Sequence, residues 1–202
     1  MLDGPYGRLL TANHCDATAN GAVKDGAGQT IASGGTSVSE VPALDSLLVD
    51  PSSSPATTPV VYYGAYNTSS TKTVKSWASN WPGDPVCSGG ASLGTRCGTV
   101  YDDNDHVYIN GYIVPVIQAA ASSGAIAGQG DSGGPVTKLV TGGVQARGIV
   151  LGNDPNYVDF TGSACGSVNP DAVASDFICS QHFRFVPISL ILNSWGVSLE
   201  TG

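Results

Sequence analysis

Short apolar runs, broken every few residues by turn formers, dominate this chain. Val60-Val61-Tyr62-Tyr63, Val107-Tyr108-Ile109, Ile113 to Ile117 and Arg147 to Leu151 are rich in β-branched and aromatic residues, with Gly, Asn, Asp and Ser clusters between them. Such spacing predicts many short strands and an all-β barrel or sandwich. A helical period emerges near the end, where Ile188, Ile191, Leu192 and Trp195 recur and Gly196 follows as a stop. The segment from Pro51 to Pro59 reads as a turn-rich loop, and a boundary between two barrels is expected within residues 68–80. No run approaches the roughly 18 apolar residues that a membrane helix needs.

The chain has 202 residues, enough for one large β domain or two small ones. Its net charge is −8, and its 8 Lys and Arg residues are scattered, which argues against a nucleic-acid partner. The acidity reads as solubility for a protein working outside the cell. Asp102, Asp103, Asn104 and Asp105 lack the spacing of a calcium loop and read as a solvated turn. Trp77 and Trp81 read as packing residues.

Five cysteines occur, with neither Cys-x-x-Cys nor His-x-x-x-His spacing, so no metal and no cofactor is expected. Two bridges and one leftover thiol is the natural arithmetic. Cys87 and Cys97 enclose a short Gly-rich loop that suits a hairpin staple, a bridge contributing about 2–4 kcal/mol. Bridges imply an oxidising compartment. No basic-then-apolar leader is visible at Met1.

The densest chemistry lies in Gly128-Gln129-Gly130-Asp131-Ser132-Gly133-Gly134-Pro135. A serine nucleophile needs an exposed Oγ on a tight turn and backbone N–H groups aimed where an oxyanion forms. Flanking glycines permit the required φ values. Gly130 and Ser132 are the expected oxyanion donors. The same string fits G-x-S-x-G, but the α/β-hydrolase order puts an acid and then a histidine after the serine. Only His182 follows Ser132, and alternating strands and long helices are lacking.

Thr11-Ala12-Asn13-His14-Cys15 supplies a general base suited to neutral pH, delivered by the apolar Leu9-Leu10. A carboxylate must orient that imidazole. Asp45 in Ala43-Leu44-Asp45-Ser46-Leu47-Leu48-Val49 has the apolar flanks of a buried acid. Asp50 is the alternative, with Pro51 after it suggesting a loop. The expected catalytic set is His14, Asp45 and Ser132, in that chain order.

With these boxes in hand, the chain resembles the chymotrypsin-like serine proteases, and within them the bacterial secreted branch of streptogrisins and α-lytic protease. Thr-Ala-x-His-Cys and Gly-Asp-Ser-Gly-Gly match the family's histidine and serine boxes. Cys87 to Val100 resembles that branch's short disulfide loop, and Phe185 to Ser198 resembles its C-terminal strand and helix. The resemblance implies two antiparallel six-stranded β-barrels with a short C-terminal helix. Residues 1–72 would carry His14 and Asp45, and residues 73–202 would carry Ser132. It further implies a secreted, monomeric endopeptidase acting on polypeptides, with no membrane partner. Substrate would contact Ile126, Leu151, Gly152 and Asn153. Ile126 stands where tryptic members carry Asp, so a hydrophobic or small side chain is the expected preference; His182 near the pocket wall could instead favour an acidic one.

Some positions depart from that family. Met1 stands thirteen residues before His14, where relatives carry further strands and the cysteine that pairs after the histidine. A truncated start, an incomplete first barrel and an unpaired Cys15 are therefore expected. Ser88 replaces the arginine that pairs with the aspartate before the nucleophile, which leaves Arg96 as the expected partner of Asp131. Gly128 replaces another family cysteine, so Cys165 and Cys179 are expected to pair with each other. The competing reading is an inactive homologue that serves as a binding domain.

Overall fold

The computed structural model describes residues 8–15, 23–24, 30–32, 38–49, 57–154, 156–157, 159–170 and 177–202. Its strands are β1 (Leu9–Ala12), β2 (Val23–Lys24), β3 (Thr30–Ala32), β4 (Val38–Val41), β5 (Ser46–Val49), β6 (Val60–Tyr62), β7 (Thr71–Trp77) and β8 (Pro85–Gly90). There follow β9 (Gly94–Ile109), β10 (Tyr112–Ala120), β11 (Ala127–Gly128), β12 (Pro135–Val140), β13 (Gly143–Asn153), β14 (Asp159–Thr161), β15 (Ile178–Ser180) and β16 (His182–Pro187). One α-helix among the described residues, α1 (Ile188–Trp195), follows.

Six strands close into a barrel in the order β12-β8-β9-β10-β16-β13, with β13 pairing back onto β12. All of these pairings are antiparallel. Closure removes the free edges that a sheet of this size would otherwise expose. The interior is filled by Val86, Val100, Ile117, Ala119, Ile126, Val136, Val150, Phe183 and Phe185, all buried. Each apolar run read from the sequence falls in a strand, save Tyr63 just past the end of β6, and β6 extends the large sheet through β7, which pairs parallel to β13. The β9–β10 hairpin turns at Asn110 and Gly111, both at positive φ (49° and 90°), as a two-residue primed turn requires.

For the N-terminal part the sequence leads one to expect an incomplete first barrel. Among the described residues it is a three-stranded sheet, β1-β5-β4, and a separate β2-β3 ribbon. This sheet packs on the barrel through two apolar clusters. Leu44 joins Val114, Val116, Ile149, Leu151, Val186 and Ile191, with Leu10 and Val41 against them. Leu48 joins Ile188 and Leu192 of α1. The helix stops as expected: Gly196 is left-handed (φ 60°), and the N–H of Val197 reaches back to Leu192 O at 3.2 Å. Trp195 Nε1 donates to Ser46 Oγ at 3.2 Å, so α1 ties the last strand to the first sheet.

Two expectations are corrected. Residues 102–105 are not a turn but the middle of β9. The strand carries them because its faces alternate, and Asp105 turns to Gln118 and Arg184 rather than to open water. Trp77 and Trp81 are exposed rather than packed, at 44% and 66%. β7 lies outside the closed barrel and buries only Val74 fully, while Trp81 lies in a turn beyond its end. Asp50 and residues 51–56 lie outside the described residues.

Phe185 is fully buried at the barrel's centre, stacked on Phe183 at 5.5 Å between centroids. Replacing it by Ala should cost about 3–5 kcal/mol of unfolding free energy, read as a lowered urea midpoint with an unchanged slope.

Candidate active site

Strand pairing brings His14 and Asp45 together. Ala12 faces Ser46 across β1 and β5, so the residues just beyond those ends lie side by side. A 3₁₀ turn, Asn13–Cys15, lifts His14 off β1, and a second, Pro42–Leu44, ends at Asp45 in the left-handed region (φ 42°, ψ 42°). Aspartate tolerates that conformation better than most residues. Asp45 is 2% exposed. Oδ1 accepts the backbone N–H of His14 at 2.9 Å, and Oδ2 accepts Nδ1–H at 2.6 Å. An ionised carboxylate only accepts, so the proton sits on Nδ1 and the Nε2 lone pair is left available. The hydrogen bond to Asp45 raises the His14 pKa above 6.5, against the opposing effect of burial.

The serine loop passes close beneath. Cys15 Sγ donates to the carbonyl of Ser132 at 3.6 Å. A Cβ on Gly133 would lie 2.1 Å from Thr11 Oγ1 and 2.7 Å from Ala12 N, so only glycine lets the two segments meet. Ser132 Oγ donates to Leu151 O at 3.1 Å and is not bonded to the imidazole. Rotation about χ1 is what would redirect it; such bonds commonly tighten only when substrate is present.

Backbone accounting across this loop is informative. Gly128 N–H goes to Asp131 Oδ2, Gln129 N–H to Ile178 O, Asp131 N–H to Gly128 O, Gly133 N–H to Val150 O and Gly134 N–H to Asp131 O. The N–H groups of Gly130 and Ser132 have no partner among the described residues. Gly130 and Gly133 adopt φ of 83° and 77°, the conformation that bends the loop so that alternate amides are left over.

Asp131 has a different partner from the one expected. It is 1% exposed, and its Oδ1 accepts the amides of Ser92 (2.8 Å) and Leu93 (3.2 Å), while Oδ2 accepts Gly128 N–H (2.9 Å). Burial pushes its pKa up against these three donors. Arg96 makes no ion pair with it; the guanidinium donates to Ser167 O at 2.9 Å. The tip of the β8–β9 hairpin reaches Asp131 first, because a Cβ on Gly90 would sit 2.0 Å from its Oδ1. The Ser88 hydroxyl donates instead to the Ile126 carbonyl, with the Arg96 carbonyl a longer contact at 3.3 Å. Cys87 is bonded to Cys97 across paired strands and Cys165 to Cys179, while Cys15 is free and exposed.

Leu151, Gly152 and Asn153 form the end of β13 beside Ser132. Ile126 is fully buried, its side chain against the Gly98 backbone inside the barrel. His182 stacks on Tyr157 at 3.6 Å, and its Nδ1 lies 3.3 Å from Tyr101 Oη. Burial lowers its pKa despite the nearby Asp154. Sequence reading missed Gly90, Ser92 and Leu93; the one signal was the small-residue tip of the Cys87–Cys97 loop. It also missed the rings of Tyr101 and Tyr157 around His182.

No protein-family model and no curated protein matches the chain. Solved structures do. A glutamic acid specific serine protease that uses a histidine triad in substrate binding superposes with TM-score 0.68 at 21% identity, covering 98% of this chain and 90% of that one. Thermobifida fusca Protease A gives TM-score 0.59 at 28% identity, over 96% and 84%. Nocardiopsis protease gives 0.64 at 23%, over 99% and 89%. The fold is that of the bacterial chymotrypsin-like serine proteases. Within this protease fold, the histidine, aspartate and serine boxes fall at one junction between the β1-β5-β4 sheet and the closed barrel.

An Asp131→Asn protein should lose about 1–3 kcal/mol of stability, because an amide NH₂ must face an N–H donor on one side or the other. Chemical denaturation of the two proteins checks this.

Proposed function

We propose that this chain is a secreted serine endopeptidase in which His14, Asp45 and Ser132 are the catalytic residues and Gly130 and Ser132 bind the oxyanion. The observation that carries the reading is the pair of unpartnered amides at Gly130 and Ser132 in a loop where every other N–H is bonded. Preorganised donors of this kind stabilise charge that develops only in the transition state.

The chemistry follows from the geometry. Ser132 Oγ attacks the scissile carbonyl carbon while its proton passes to His14 Nε2. The oxygen, now an anion, is held by the amides of Gly130 and Ser132. Collapse breaks the C–N bond, and the imidazolium returns its proton to the leaving amine. Water, deprotonated by His14, then attacks the acyl-Ser132 ester; the ester C–O bond breaks, the imidazolium returns its proton to Ser132 Oγ, and the acid is released. Asp45 keeps the tautomer and stabilises the imidazolium throughout.

Division into residues 1–72 and 73–202, a monomeric state and an extracellular location belong to the same reading. The two disulfides support an oxidising compartment. For specificity we retain a hydrophobic or small side chain at the cleavage site. The wall at Leu151, Gly152 and Asn153 is uncharged, and the ring of His182 is held between Tyr101 and Tyr157 with a lowered pKa. A neutral imidazole is a poor counter-ion for an acidic side chain. The two unbonded amides beside the Ser132 hydroxyl favour an enzyme over an inactive homologue.

A fluorophosphonate probe should label Ser132 in the native protein and neither the heat-denatured protein nor Ser132→Ala, as read by peptide mass mapping. No adduct on folded protein would refute the proposal. Activity needs neutral His14, so kcat/KM should rise with pH through a limb above 6.5. Asp45→Asn removes the carboxylate charge that helps to raise that pKa, so the limb should move to lower pH, with kcat falling by about 10⁴-fold.

A further inference from the structure

The peptide joining Gln129 to Gly130 is trans and planar, so its carbonyl oxygen and its N–H point in opposite directions. Its N–H is the free amide of Gly130. Its carbonyl is not free: Ser92 Oγ donates to Gln129 O at 2.6 Å. Whatever holds that oxygen therefore sets the direction of the opposite N–H. Turned over, the same peptide would aim a carbonyl at the place where an oxyanion forms, and repulsion would replace attraction.

Ser92 is built in on every side. It is 2% exposed. Its N–H is held by Asp131 Oδ1 at 2.8 Å, and its carbonyl accepts Asn169 N–H at 2.8 Å. A Cβ on Gly130 would lie 2.7 Å from Ser92 Oγ, so the hydroxyl sits directly against the residue whose amide it orients. On the other flank, Gln129 exchanges two bonds with Ile178: N–H to O at 3.0 Å, and Oε1 from N–H at 3.1 Å. Residue 129 is anchored at its amide and its side chain, and Asp131 N–H to Gly128 O closes the turn around it, so the 129–130 peptide plane is held at its carbonyl by the Ser92 hydroxyl.

We propose that Ser92 is a positioning residue of the oxyanion site, its hydroxyl holding the Gln129–Gly130 peptide so that Gly130 N–H faces the cleft. This rests on the serine-protease reading above. Ser92 touches no reacting atom; it acts through the peptide.

The test compares a peptide ester with its thionoester, in which sulfur replaces the carbonyl oxygen, for wild type, Ser92→Ala and Ser92→Cys. An intact oxyanion site prefers the oxygen substrate. In Ser92→Ala, kcat for the ester should fall about 10- to 100-fold, short of the about 10²–10³ seen when a donor is removed outright. KM should stay nearly constant, and the ester-to-thionoester ratio of kcat/KM should narrow. The thiol of Ser92→Cys keeps the shape with a weaker donor and should fall between. Equal losses on both substrates, or an unchanged ratio, would overturn the proposal; if Ser92→Ala does not fold, the ratio in Ser92→Cys decides in the same way. Wild-type protein that cleaves neither substrate would instead defeat the serine-protease reading itself.

Discussion

Asp131 is a carboxylate almost wholly removed from water with no cation in contact with it. Its charge is met by three backbone amides, two from the β8–β9 turn and one from its own loop. A buried anion is tolerable only when its lone pairs are satisfied this way. The consequence is geometric: the turn and the serine loop are locked together, and Gly90 and Gly134 must lack side chains for them to approach. The Cys87–Cys97 bridge closes the hairpin that supplies two of the amides. The bend of residues 128–134, and with it the pair of unbonded amides, follows from this lock.

Opposite the loop, His14 and Asp45 belong to a small sheet with little core of its own. It is held by Leu44 and Leu48 against the barrel and α1, by the Trp195–Ser46 bond, and by the close passage of Thr11 and Ala12 over Gly133. His14 and Ser132 thus sit on separate elements that meet across apolar packing. Their relative placement depends on side chains far from the chemistry in sequence, such as Val114, Ile149 and Ile191.

Much of this was legible beforehand, for identifiable reasons. β-Branched runs became strands because a pleated, half-buried surface suits them. α1 was readable because Ile188, Ile191 and Leu192 share one face and Gly196 can adopt positive φ. The burial of Asp45 was legible in its apolar neighbours. The acidic stretch misled because composition reports solvation and not pairing: Asp105 finds Arg184 only when β16 lies beside β10 and β10 beside β9.

Local sequence determined which residues are chemically able to act: an imidazole, a carboxylate, a hydroxyl between glycines, and strands short enough to close a barrel. These are properties of side chains and of allowed φ values, and they do not depend on distant contacts. The partner of Asp131, the direction of the Gly130 amide and the caging of His182 by two tyrosines were decided by tertiary structure alone. Each joins segments 25 to 81 residues apart, through hydrogen bonds and ring contacts with no periodic signature. Backbone amides make most of these bonds, and every residue but proline carries one, so nothing in the residue identities marks which will be used.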